Sequence, residues 1–283
     1  MAQEPEHRML FDLRGKRKRV IQVIYVMLAF VMAASLLVIG LPGGVNPFGD
    51  NGGGVVSQDG ADLAIERAER IEARIKTEPN NQNARAELIR ARVAAGNSLV
   101  EVDDQGRTQV SDTATGQYDL AAEAWGNYLK QTNNDPDPAV AQLVAGTLFS
   151  LAQGSAVAQF QANIKDAAKA QQFVVDGSTE AFAKEEGPAP TGALVTLASY
   201  QYYAQQTDAA EQSRKTALAS TQDKAEREQI TSQLNAIRRE GERVGKIIAR
   251  AKRQAKQDGG SSLQDPLGSL GTQDSQSGAP PQQ

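Results

Sequence analysis

Residues 191–220 read TGALVTLASYQYYAQQTDAAEQSRKTALAS, and their spacing decides the fold. Leu194, Leu197 and Ala198 fall three and four residues apart, so they share one face of a helix. Ala210, Ala217 and Leu218 repeat that pattern after a polar break. Two helices are therefore expected, at 191–205 and 208–219.

The same rhythm continues in both directions. Upstream, Ala64, Ala68, Ile71 and Ile75 form one helical face, which Pro79 ends. Ala84, Leu88, Ala91 and Ala95 continue to Gly96, expected as a C-cap. Then comes LVEVDDQGRTQV, residues 99–110. Val100 and Val102, and Thr108 and Val110, alternate with polar residues around the turn chemistry of Asp103–Gly106, which predicts a short β-hairpin inserted at about 98–117. Asp103-Asp104 lacks the spaced acids and closing Glu of a calcium loop, so it reads as turn.

A helix is expected over Tyr118–Lys130, burying Ala121, Ala124, Trp125, Tyr128 and Leu129. NNDPDP at 133–138 breaks it, and helices at 139–153 and roughly 159–175 follow. DGS at 176–178 and GPAP at 187–190 read as further breaks. A long helix runs from about Asp223 to Lys256, with Ile230, Leu234, Ile237, Val244, Ile248 and Ala251 on one apolar stripe. Near the repeats that stripe is expected to cap the solenoid core; beyond about Gly241 two readings stay open, a solvated cap and a projection toward a partner helix or a lipid surface. Residues 257–283 hold few large apolar groups and read as a disordered tail.

Paired helices broken at regular intervals resemble the tetratricopeptide repeat family, whose 34-residue unit is two antiparallel helices and a closing proline. Thr191–Ser220 matches without a gap, and Pro188 closes the preceding unit. An earlier unit follows Pro79, with Leu88, Ala91 and Gly96 on its first helix and Tyr118, Ala121, Trp125 and Leu129 on its second. A middle unit follows Pro136 with Gly146 and Phe149 in place, although its second helix, near Asn163–Val175, fits poorly. The large aromatic that opens the family motif is replaced by Arg85, Gln142 and Leu194. The resemblance implies a short α-solenoid over 61–220, with 61–79 as a leading helix and 221–256 as a basic capping helix. In that family the first helices line a groove for peptides. Carried over by register, the groove is Asn83, Ala86, Arg90 and Val93, then Leu143, Thr147 and Ser150, then Val195, Ser199 and Tyr202.

Ahead of the repeats, Val20–Leu41 is a charge-free apolar run, long enough to cross a bilayer and too long for a signal-peptide core. Arg14, Lys16, Arg17, Lys18 and Arg19 precede it, and the next basic residue is Arg67. The positive-inside rule places the tail 1–19 in the cytoplasm and the repeats outside, so the expected site is a bacterial cytoplasmic membrane spanned once. The same basic tail suits contact with anionic lipid. Gly- and Pro-rich residues 42–60 read as a tether; their GGG has no lysine at P-loop spacing. The whole is an all-α chain: one transmembrane helix, a solenoid with an inserted hairpin, and a long last helix.

Composition narrows the chemistry. The 283 residues include no cysteine and one histidine, His7, so a thiolate, a zinc–thiolate site, and in the body of the chain a histidine-based metal site or a Ser-His-Asp triad are excluded. No carboxylate pair stands in an apolar setting, which disfavours a carboxylate-based hydrolase. No enzyme, cofactor or metal is expected. Net charge is −4, which gives no sign of nucleic-acid binding. Charge is uneven, however: Arg238, Arg239, Arg243, Lys246, Arg250, Lys252, Arg253 and Lys256 gather on the last helix, against two acids. They suit lipid or partner contact, and with the acidic remainder they permit head-to-tail self-association. The expected role is a membrane-anchored scaffold binding a protein partner. The alternative is a chaperone-like factor of protein export or envelope assembly, since ancillary bacterial translocon subunits look similar.

Overall fold

A computed structural model describes residues 58–102 and 108–258 of the chain. The span, the basic tail, most of the tether, the turn of the hairpin and residues 259–283 lie outside the described residues. The helices are α1 Gln58–Thr77, α2 Gln82–Ser98, α3 Asp112–Gln131, α4 Pro138–Gly154, α5 Val157–Ala183, α6 Thr191–Tyr203, α7 Thr207–Ala219 and α8 Lys224–Asp258. Strands β1 Val100–Val102 and β2 Thr108–Val110 pair antiparallel between α2 and α3, with Val100 opposite Val110. Among the described residues no helix is long and apolar enough to cross a membrane.

Local chemistry sets the helix starts. The Asn81 side chain accepts the Ala84 N–H at 2.9 Å, and Ser111 Oγ accepts the Ala114 N–H at 3.1 Å. The Ser111 cap starts α3 six residues before Tyr118, in a Thr- and Gly-containing stretch whose propensity is weak. Asp137 caps α4 through the Ala139 N–H at 2.8 Å, with Pro138 in the first turn where its missing N–H costs nothing. Asp223 Oδ1 accepts the N–H groups of Ala225 and Glu226.

Two glycines behave differently from expectation. Gly96 does not end α2: it lies inside the helix, and Leu99 caps it. Gly177 does not break α5 either, which runs on to Ala183. A Cβ on Gly177 would lie 2.4 Å from Cγ of Pro138, so the small residue is there for contact with α4.

Consecutive helices form antiparallel pairs, each pinned at both ends. Gln82 Nε2 at the start of α2 donates to the Gln131 carbonyl at the end of α3, at 3.1 Å, while Gly96 at the other end lies under the Tyr118 ring. Pro138 and Gly177 meet at one end of α4–α5; Ala152 and Val157 share a buried cluster at the other. Thr191 and Ser220 hydroxyls lie 2.7 Å apart at one end of α6–α7, and Tyr202 reaches Glu211 at the other.

Successive pairs are joined by side chains from both. Arg90 donates to Asp137 at 3.0 Å, Gln171 Nε2 to the Ala193 carbonyl at 3.1 Å, and Phe149 stacks on Tyr200 with ring centroids 4.9 Å apart. Arg92, almost fully buried, extends this to α1 by donating to Glu72 at 2.6 Å while also donating to Gln117 of α3 at 2.9 Å.

The last helix answers how its second half is used. Its stripe does not project beyond Gly241. Val244, Ile248, Ala251 and Ala255 are all buried, and the first three share a cluster with Ala152, Val157, Phe160, Ile164 and Ala204. Gln205, at φ 62°, marks the crossing point: its Nε2 donates to the Gly241 carbonyl at 2.8 Å. That bond offsets the roughly 1 kcal/mol that a left-handed non-glycine residue costs.

Candidate functional site

The residues carried over as groove positions are not one open surface. Asn83, Arg90 and Ser150 are exposed and Leu143 is half-buried. Ala86, Val93, Thr147, Val195, Ser199 and Tyr202 are buried. Val93 sits in a cluster with Tyr118 and Ala121, against which Leu143 packs. Val195 and Tyr202 share theirs with Ile230 and Leu234 of α8. The Tyr202 hydroxyl donates to Glu211 at 2.8 Å, and Glu211 also accepts from Arg238 of α8 at 3.2 Å. Burial and the Glu211 carboxylate push that hydroxyl's pKa up. A ligand reaching the third unit's positions would have to displace α8.

A different surface stays open. Between α3 and α5 lies a cleft of about 540 Å³ lined by Ala122, Trp125, Gly126, Leu129 and Asn134 on one side. Leu148, Asp166, Lys169, Gln172 and Phe173 line the other. Trp125, buried with the core, meets Phe173 edge-on at 6.1 Å between ring centroids, and Tyr128 lies 5.9 Å from Trp125. Phe173 and Leu129 are only half-buried, so they offer apolar surface to an incoming group. A Cβ added at Gly126 would meet nothing within 4 Å. This glycine keeps the wall low without itself contacting a neighbour.

The rim is polar and nearly neutral. Lys169 donates to Asp166 at 2.9 Å, and Gln172 donates to Asp176 at 2.8 Å. Exposed partners of this kind exchange readily with an incoming backbone or side chain, because a surface pair contributes about 0.2–1 kcal/mol. Asn134, at φ 60°, closes one end, its N–H donating to the Leu129 carbonyl at 2.9 Å. An apolar floor inside a polar rim suits an apolar side chain carried on a polypeptide.

A smaller cleft of about 210 Å³ lies among Glu72, Ile75, Lys76, Arg85, Leu88, Ala124 and Asn127. Among the described residues no group of three or more His, Cys, Asp or Glu side chains is placed to hold a metal ion.

The basic residues of α8 divide by register. Arg238 pairs with Glu211 and Glu242, and Arg243 with Glu240. Arg239, Lys246, Lys252 and Arg253 are exposed, and Arg250 is half-buried and engaged. Arg14, Lys16, Arg17, Lys18 and Arg19 lie outside the described residues.

Sequence spacing missed the cleft because its two walls come from different helical pairs. The one local hint was Gly126, an isolated glycine inside a strong helical pattern. No family model, no curated protein and no solved structure matches the chain.

Proposed function

We propose that this chain is a membrane-anchored helical-repeat scaffold, and that the α3–α5 cleft receives a polypeptide partner on the extracytoplasmic side. The observation that carries the proposal is the unfilled apolar floor of Trp125, Leu129 and Phe173 behind Gly126. A monomer with no use for that space would gain about 25 cal/mol for each Å² of apolar surface it removed from water. The occupant best suited to it is an amphipathic helix that presents one branched or aromatic side chain to the floor and polar groups to Asp166, Lys169 and Gln172.

Three observations support the tetratricopeptide-like part of this reading. Three antiparallel pairs follow one another, α2–α3, α4–α5 and α6–α7. Small residues sit at the closest approaches, such as Gly96 under Tyr118. The first half of the long α8 covers the last pair as a cap, through Ile230 and Leu234, and its second half packs on α4–α5. The membrane part rests on the 22-residue run Val20–Leu41 and its basic flank.

Because the chain has no cysteine, a single introduced thiol gives clean site-directed crosslinking. Lys169→Cys in the full membrane-extracted chain is expected to join one discrete partner, and Lys215→Cys on α7 to join none. Many unrelated clients at position 169 would favour a chaperone-like factor instead. Equal adducts at both positions would refute the cleft as the binding surface.

A further inference from the structure

The second half of α8 carries two faces with fixed roles. Val244, Ile248, Ala251 and Ala255 are buried, which fixes the helix in rotation. With 100° per residue, the direction opposite that face is taken by Arg239, Lys246 and Arg253, at seven-residue spacing. All three are exposed, and they recur about 10 Å apart along the axis. Arg243 and Arg250 stand beside this line, and exposed Lys252 and Lys256 flank the other edge. From Arg243 to Gln257 there are six basic residues and no acidic one. Glu240 and Glu242, the nearest acids before it, are paired with Arg243 and Arg238.

We propose that this face lies against the anionic phospholipid headgroups of the membrane that anchors the chain. The inference rests on the anchor proposed above and deepens it. A straight cationic row on a rotationally fixed helix matches a flat anionic surface better than a concave or irregular one. With the basic tail 1–19 set aside on the other side of the proposed anchor, the rest of the chain outside α8 is net acidic, so this row is the main concentration of positive charge on the repeat side. The apolar side of α8 is already used in the core, so contact is electrostatic, reversible and sensitive to salt.

The full chain is mixed with vesicles of phosphatidylcholine alone and with vesicles containing about 30% phosphatidylglycerol. Flotation with phosphatidylcholine vesicles after an alkaline wash reads the anchor. Amine acylation followed by mass spectrometry reads the face. Lys246 and Lys252 are expected to react about five-fold more slowly on the anionic vesicles, and to recover at about 0.5 M salt, with Lys215 unchanged. The double variant Lys246→Glu with Arg253→Glu should lose the protection of Lys252 while keeping flotation and helical circular dichroism. A chain that floats yet reacts equally on both vesicles overturns the proposal and leaves the anchor standing. A chain that fails to float on phosphatidylcholine overturns the anchor, and the anionic vesicles still read the face. Protection that appears on both vesicle types and grows with protein concentration identifies a second copy as the occupant and also overturns it.

Discussion

Gly96 and Tyr118 occupy one space: a Cβ on the glycine would lie 2.4 Å from Cε1 of the ring. The Tyr118 hydroxyl donates to Asn97 Oδ1 at 2.7 Å, so the ring is held at its far end and is not free to swing away. Gly96→Ala is therefore expected to destabilise the fold by about 1–3 kcal/mol through overpacking, despite the better helix propensity of alanine. Gly146→Ala is the control. A Cβ there meets nothing within 4 Å, and the substitution should stabilise by about 0.5–1 kcal/mol. Urea unfolding of the two variants measures both signs.

Arg92 ties three helices together through Glu72 and Gln117, and its side chain is far more buried than that of Glu72. Removing the carboxylate with Glu72→Gln leaves a buried cation with a weaker partner. The expected loss is about 1–2 kcal/mol, below the full cost of breaking a buried pair because Glu72 is partly exposed. Arg92→Met removes the charge with its requirement and should cost less than Glu72→Gln. Hydrogen exchange in α1 is expected to rise first in the glutamine variant, since α1 is the element held by that bond.

Tyr200 gives a pH signature. Burial beneath Phe149 and its neighbours pushes its hydroxyl up to about 12. The folded pKa of this group is above its unfolded value near 10, so its contribution to stability is complete below pH 10 and is lost as pH rises toward 12. Glu87 runs the other way. Hydrogen bonds from Arg74 hold its carboxyl below the usual range, so the stability it adds is present at neutral pH and is lost as pH falls through the folded value. Exposure limits that pair to about 0.5 kcal/mol. Ultraviolet titration should find the Tyr200 phenolate forming last or together with alkaline unfolding, and Phe149→Ala should bring it earlier.

Ala251 is fully buried against the α4–α5 turn. Ala251→Asp places an unpaired charge among Val157, Phe160 and Ile164, at a cost of about 2–5 kcal/mol. The strain is local to the second half of α8. Exchange protection from Val244 onward should be lost while the first half, held by Ile230 and Leu234, keeps it.

Helix existence was legible in the sequence because Ala68, Ile71, Ala84, Ala91, Leu234 and Ile248 keep their faces at a period of 3.6. The ends were less so. Ser111 starts α3 by a single side-chain bond that competes with weak local propensity, and Gly177 continues α5 because Pro138 of another helix needs its space. The binding surface was the least legible. Whether Tyr202 lines a groove depends on α8, whose Gly241 backbone lies against the Tyr202 carbonyl. Trp125 and Phe173 come from separate helical pairs, and no spacing within either helix announces that they meet.

Gly126→Leu tests the cleft most directly, because it adds a large side chain to the cleft lining at a position where a Cβ meets no atom. The variant should be as stable as the parent or more so, since leucine is the better helix former by about 1 kcal/mol. Crosslinking from Lys169→Cys, in the same full-length background with and without Gly126→Leu, is the decisive comparison. The discrete adduct is predicted to disappear in the filled variant while unfolding midpoints stay equal or rise. An adduct that persists undiminished with the cleft filled would contradict binding at the α3–α5 surface.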